Sequence, residues 1–215
     1  MDIDLLEVLG SKNINHGDCK MGKLKSFFLK FSKQLISLGN KDINYIQMRL
    51  PVSKITQAYE QNLKDKVSHN ILKAEIREAT MEDVDNLKLL HDLAWHSTPM
   101  PYRPLDKEMI IENIKDDNIV FLVAKVNGED CGFALIYFTG TDKKIGVIAG
   151  MGILPRLQKK GLGTMLGLAT WNYFKTRGVV ELRCKVYIDN KTSYKFIKGL
   201  QFEEYDDDFT QWKML

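Results

Sequence analysis

The chain has few cysteines and few histidines. Cys19, Cys131 and Cys184 lie far apart and form no C-x-x-C, which excludes a disulfide framework and a thiolate metal site. They read as free thiols in a reducing compartment, with Cys131 and Cys184 buried in strands. Four scattered histidines (His16, His69, His91, His96) show no metal-ligand spacing. No apolar run approaches the roughly 18 residues that a membrane span needs. The opening Met1-Asp-Ile-Asp-Leu5 lacks the basic flank and cleavage pattern of a secretory signal. A cytoplasmic protein without a metal is the expectation. Charge of one sign is also scarce: 31 basic and 28 acidic residues leave a formal net charge of +3. No nucleic-acid partner is expected, since nothing interleaves aromatic and basic residues as a base-stacking groove would. Internal repeats, low-complexity tracts and Gly/Ser linkers are absent from the sequence as well.

What is present is an ordinary globular composition, 44% hydrophobic and 27% charged, and one glycine-rich segment. Gly152–Leu166, GILPRLQKKGLGTML, holds Gln158-Lys-Lys-Gly161-Leu-Gly163, a Q-x-x-G-x-G. The apolar run before it, residues 147–153, reads as a buried strand. After it, Met165, Leu166, Leu168, Ala169, Trp171 and Tyr173 fit a largely buried helix. A strand, glycine turn and helix in that order aim free N–H groups and the positive end of a helix dipole at one spot. Lys159 and Lys160 add charge there. The segment reads as a cradle for a phosphate or pyrophosphate. It matches neither the P-loop nor the dinucleotide fingerprint, and a plain glycine turn before a helix is the alternative reading.

Other segments follow a recognisable order. Residues 74–84, AEIREATMEDV, predict a strand and a helix start, with Thr80 and Asp83 at capping-box spacing and Val84, Leu87, Leu90 and Leu93 on the helix. Residues 119–126, Asn127-Gly128 and residues 131–138 predict a hairpin. Residues 182–187 read as a further strand, 189–198 as a short helix, and 202–205 with 209–213 as a closing strand pair. The stretch Asn190-Lys-Thr-Ser193-Tyr-Lys-Phe196-Ile197-Lys-Gly-Leu-Gln201-Phe202 is similar to N-x-x-A-x-x-[FL]-Y-x-x-x-G-F. With the Q-x-x-G-x-G and Ile153-Leu-Pro155 before it, the order from Glu75 onward resembles the GNAT superfamily of acyl-CoA-dependent N-acetyltransferases.

The resemblance implies an α/β (α+β) fold: a mixed, mostly antiparallel central sheet with a splayed parallel strand pair and flanking helices. It assigns this domain to 74–215 and leaves 1–73 as a mainly helical extension. It implies acetyl-CoA as acyl donor, held by the backbone of Ile153 and Leu154, by Gln158, Lys159, Lys160, Gly161, Leu162 and Gly163, and by Asn190. Transfer would go directly to a primary amine of a small molecule or peptide, with the Ile153 amide polarising the thioester carbonyl. Two departures stand out. Ile197 occupies the place of the family's usual tyrosine acid, and Gln201 replaces a glycine, implying a different turn. Tyr194 is the candidate phenol near that place, or a packing residue. The strand at 147–151 has no carboxylate, so His96 in the expected substrate-side loop, Glu181 and Asp189 are the nominees for general base; backbone carbonyls with a water chain serve as well. Pro99 and Tyr102 match a P-x-x-Y that peptide α-amine acetyltransferases carry in this loop, which otherwise reads as a rigid proline-rich connection. A catalytically weak acyl-CoA-binding sensor or scaffold is the second reading.

Within the extension, Leu24, Phe27, Phe28, Phe31, Leu35 and Leu38 recur at helical spacing opposite a basic face, so a helix over 23–38 is expected. Docking on the body of the protein is favoured over membrane contact. Residues 43–50 suggest a short strand and 51–73 a second helix carrying Ile55, Tyr59, Leu63 and Val67. Pairing with the same region of a second copy stays open.

Overall fold

The computed structural model describes residues 45–70 and 72–205; the expected helix over 23–38, Cys19 and the expected strand over 209–213 lie outside them. The described chain opens with strand β1 (Tyr45–Pro51) and helix α1 (Gln57–Ser68). Then follow β2 (Glu75–Glu78), α2 (Val84–His96), α3 (Lys107–Ile114), β3 (Ile119–Val126) and β4 (Glu129–Thr139). The chain continues through β5 (Ile145–Ile153), α4 (Leu162–Thr176), β6 (Glu181–Tyr187), α5 (Lys191–Gly199) and β7 (Glu203–Glu204). All strands join one sheet in the order β2-β3-β4-β5-β6-β1-β7. Every pairing is antiparallel except β5 with β6. This is the mixed, mostly antiparallel sheet with one parallel pair that the resemblance implies.

Local chemistry accounts for the elements. Asn127 (φ 52°) and Gly128 (φ 83°) take the two left-handed positions of the β3–β4 turn, as a two-residue hairpin loop requires. Thr80 and Asp83 form the capping box: the Thr80 hydroxyl accepts from Glu82 N at 3.3 Å, and the Asp83 carboxylate accepts from Thr80 N at 2.7 Å. Arg77 grips the same carboxylate at 2.7 and 2.8 Å and holds its pKa down to about 2. Val84, Leu87 and Leu90 then turn inward, whereas Leu93 is exposed. Helix α3 was not anticipated, although Asp106 caps it through Met109 N at 2.8 Å.

Strand β5 lies between helices on opposite faces. A Cβ on Gly146 would come within 2.6 Å of the Phe174 ring on α4, and one on Gly152 within 2.7 Å of Ala94 on α2. The change of face comes from a bulge. Leu135 pairs with Gly150 and Ile136 with Ile148, so Ala149 has no partner on β4.

The sequence reading counts β1 with the N-terminal extension, yet all seven of its residues pair with β6, from Tyr45–Tyr187 to Pro51–Glu181. Met48 and Leu50 enter the core, so hydrogen bonding crosses the expected boundary at residue 73. Strand β7 pairs with the other edge of β1, through Met48–Glu204 and Arg49–Glu203.

Helix α1 is shorter than the expected 51–73 segment and starts at Thr56, whose hydroxyl accepts from Tyr59 N. It is fastened to α4 by Glu60, which is buried. Glu60 receives Lys64 from its own helix at 2.6 Å, Lys175 at 2.9 Å and the Trp171 indole at 3.2 Å. These bonds, that from Lys64 first, hold the Glu60 carboxyl at about 2. Cys131 and Cys184 are buried, and burial pushes the Cys184 thiol up to about 12.

Gln201 corrects an expectation. It keeps a glycine-like backbone, at φ +66°, instead of a different turn. Bonds from Gln201 N to Lys198 O (2.9 Å) and from Phe202 N to Ile197 O (3.3 Å) close the end of α5 and impose that conformation.

Candidate active site

Strands β5 and β6 are hydrogen-bonded only from Ile145–Glu181 to Ile148–Cys184. Beyond the Ala149 bulge they part, leaving a gap between residues 149–153 and 185–187. The β4 ladder decides which backbone groups face it. Leu154 N donates to Cys131 O at 2.9 Å, so 131–154 is a hydrogen-bonded pair. The preceding pair, Gly132–Ile153, is then a non-hydrogen-bonded one by antiparallel alternation. The N–H and C=O of Ile153 therefore turn away from β4, towards the gap. Met151, two residues earlier, has the same orientation. Leu154 was expected to offer its backbone beside Ile153, but its N–H serves Cys131 and its carbonyl accepts from Leu157 N at 2.8 Å.

The glycine segment starts at the mouth of this gap. A 3-10 turn, Pro155–Leu157, leads into residues 158–161, and α4 begins at Leu162. Lys159 (φ 59°) and Gly161 (φ 82°) are both left-handed. Gly161 is the N-cap of α4 and supplies no side chain to cap it, so the first-turn amides of Leu162, Gly163 and Thr164 point outward without an intrahelical partner. Leu162 anchors the turn, fully buried. A Cβ on Gly163 would touch the Phe196 ring of α5 at 3.4 Å. Lys159 and Lys160 are exposed, and the described residues show no ion pair for either. The Gln158 side chain folds back, donating to Ile153 O at 3.0 Å and reaching Ser97 Oγ at 3.3 Å.

Asn190 is buried and caps α5, its Oδ1 accepting from Ser193 N at 3.1 Å. Its Nδ2 lies 3.5 Å from Met100 Sδ. The loop after α2 thus crosses the mouth of the gap, touching Gln158 through Ser97, Asn190 through Met100, and β1 through Arg103. The Arg103 guanidinium stacks 5.1 Å above the Tyr45 ring, which meets Tyr187 edge-on at 5.6 Å. Pro99 is exposed in this loop. Tyr102 donates to Asp92 Oδ1 at 2.7 Å, and that bond raises its pKa to about 12.

His96 is the last residue of α2, not a loop residue. Its Nδ1 lies 2.7 Å from Asp92 O, and its ring packs on Tyr102 at 4.4 Å. Burial pushes the Asp92 carboxyl up, but bonds from Lys88, Tyr102 and His91 outweigh it and leave the carboxyl below its ordinary value. His91, buried against Trp95, Tyr102 and Phe133, is held below the usual imidazole range by that burial.

Tyr194 donates its phenol hydrogen to Glu204 on β7, two strands away from the gap, and that bond raises its pKa. Ile197, at the position of the expected acid, is buried. Glu181 lies at the paired end of β6 and binds Arg183. Asp189 is exposed just past the other end. Among the described residues, no cluster of His, Cys, Asp or Glu is arranged to hold a metal ion. No described helix is long and apolar enough to cross a membrane.

Sequence reasoning missed the residues that brace this site. Ser97, Met100 and Asn70, which donates to Lys160 O at 2.8 Å, carry no motif and act through contacts distant in sequence.

The model of the acetyltransferase (GNAT) family matches residues 87–202. The chain belongs to that family. Within it, the chain is 34% identical over 84 residues to a mycothiol acetyltransferase of a Nocardioides species, covering 39% of this chain and 27% of that one. It is 28% identical over 151 residues to an uncharacterised N-acetyltransferase of Methanocaldococcus jannaschii, covering 63% and 64%. The chain thus spans under two-thirds of either relative. Among solved structures, it is similar to the PaiA N-acetyltransferase of Thermoplasma acidophilum in complex with coenzyme A, with a TM-score of 0.57 and 21% identity. That likeness covers 64% of this chain and 94% of the other, and it shows the GNAT fold. The matched span begins inside α2 and leaves out both β1 and α1.

Proposed function

We propose that the protein transfers an acetyl group from acetyl-CoA directly to a primary amine of a small molecule or peptide. Family membership supports the reaction class. The observation that carries the reading is the Ile153 amide, turned into the β5–β6 gap one short turn before an uncapped helix N-terminus. In this reading, the first-turn amides of α4 with Lys159 and Lys160 hold the pyrophosphate, which fixes the thioester in the gap. The Ile153 N–H donates to the thioester oxygen as negative charge develops there.

The amine must lose a proton before attack. Its nitrogen then bonds to the carbonyl carbon, the C–S bond breaks, and the CoA thiolate takes up a proton. Strand β5 supplies no carboxylate, so the proton leaves through water and outward-facing backbone carbonyls such as that of Met151. His96 and Tyr194 are the side-chain nominees, but their bonds to the Asp92 carbonyl and to Glu204 count against either moving a proton in the gap. Pro99 and Tyr102, in the loop across the mouth, would meet the acceptor. A cytoplasmic location belongs to this reading and rests on three cysteines scattered in sequence without a C-x-x-C.

The test is calorimetric titration with acetyl-CoA of the native chain and of a variant with both Gly161→Val and Gly163→Val, with folding checked by circular dichroism. Micromolar binding lost only in the folded variant supports the reading, and a screen of amines and peptides for CoA release follows. No binding by the native chain overturns it. Ile197 in the acid's place and the committed Tyr194 favour a second reading, an acyl-CoA-binding sensor with little chemistry. Measurable transfer to any amine excludes it.

A further inference from the structure

Helix α1 runs antiparallel to α4: its start touches the end of α4, and the turn after α1 reaches the loop before α4. Near its start, Glu60 takes Lys175 and Trp171 from the last turns of α4. Ten residues on, two past the end of α1, Asn70 reaches the loop that precedes α4. Its Nδ2 donates to Lys160 O at 2.8 Å, while its Oδ1 accepts from Leu72 N at 3.1 Å. Both ends of the amide are engaged, which fixes its orientation. The same Nδ2 lies over Gly161 so closely that a Cβ there would be 1.8 Å away.

The bond to Lys160 O has a directional effect. A trans peptide is planar, and its C=O and N–H point opposite ways. Holding the Lys160 carbonyl towards α1 therefore aims the Gly161 N–H away from α1. Gly161, at φ +82°, can rotate with little steric resistance, so an external contact is needed to hold this peptide in one orientation. Asn70 supplies it, from two residues past the end of α1 and outside the family-matched residues 87–202.

We propose that α1 braces the cradle and that Asn70 is a positioning residue for acetyl-CoA, orienting the peptide between Lys160 and Gly161. This rests on the reading of residues 158–163 as the CoA cradle. The variant Asn70→Asp keeps the acceptor for Leu72 N but loses the donor and sets a carboxylate against a carbonyl. Asn70→Ser is the fallback should Asn70→Asp fail to fold.

Calorimetry with acetyl-CoA and with CoA, on the native chain, Asn70→Asp, Asn70→Ser and the Gly161/Gly163 double variant, tests the proposal. Losing one such bond weakens binding about three- to tenfold. The expected result is that loss, equal for CoA and acetyl-CoA because the acetyl end is remote, with a melting midpoint close to native. The Gly161 amide resonance should also shift in the unliganded variants, which a general loss of packing would not confine to that residue. Native-like affinity in both Asn70 variants, while the glycine variant fails to bind, overturns the brace and leaves the cradle standing. Absence of binding by the native chain overturns the cradle reading and the brace with it.

Discussion

Leu154 N donates to Cys131 O at 2.9 Å, and that bond dictates what Ile153 can do. Ladder parity permits only one of two neighbouring amides to face β4. An amide-to-ester replacement at Ile153, keeping the side chain, should leave stability near native and cut turnover about 10²–10³-fold. The same replacement at Leu154 should cost about 1 kcal/mol of stability and spare turnover. Chemical denaturation and CoA release measure the two.

Gln201 sits at φ +66° without being glycine. A left-handed conformation costs an ordinary residue roughly 1 kcal/mol, so Gln201→Gly should raise stability by up to about that much, with turnover unchanged. Urea unfolding at equilibrium is the measurement, and a loss of stability would show that the Gln201 side chain makes its own contribution.

Tyr194 is engaged by Glu204, away from the gap. Tyr194→Phe should therefore alter turnover by less than about threefold and leave the alkaline limb of the pH profile in place. A drop of about a hundredfold, with that limb lost, would make Tyr194 the acid. His96→Asn should be similarly mild, since its ring serves Tyr102 and the Asp92 carbonyl.

Glu60 predicts an acid-sensitive step. Its folded pKa of about 2 lies below the ordinary 4.5, so the unfolded chain binds the proton more readily. The stabilisation is complete above pH 4.5 and fades as pH falls towards 2. Melting midpoints of native and Glu60→Gln protein should differ most near neutrality and converge over that window. A constant gap across it would mean that Glu60 acts by packing alone.

Features with a local cause were legible in the sequence. Asn127-Gly128 had to be a tight turn and Thr80–Asp83 a capping box, because the bonds involved span three residues or fewer. The spacing of Gly161 and Gly163 pointed to the turn that opens α4 for the same reason. Gln201 misled because side-chain identity suggested one backbone and the closing bonds of α5 enforced another. The place of β1 was hidden because its partner, β6, is chosen by a pairing distant in sequence. His96 and Tyr102 were legible as residues near the site, but their capture by Asp92 depends on how α2 meets its loop.

The insertion of β1 between β6 and β7 also sets an order of events for the growing chain. Tyr45 leaves the ribosome about 140 residues ahead of Tyr187, the residue it must pair with. Throughout that interval an apolar strand carrying Met48 and Leu50 has no native edge to join, and closing so long a loop is slow. Until β6 arrives, β1 is an exposed template for pairing with other chains. A version begun at residue 74 exchanges one hazard for another: it removes the early strand but leaves β6 with a permanently open edge on the side away from β5. Such a truncation should aggregate, although it retains the whole family-matched span.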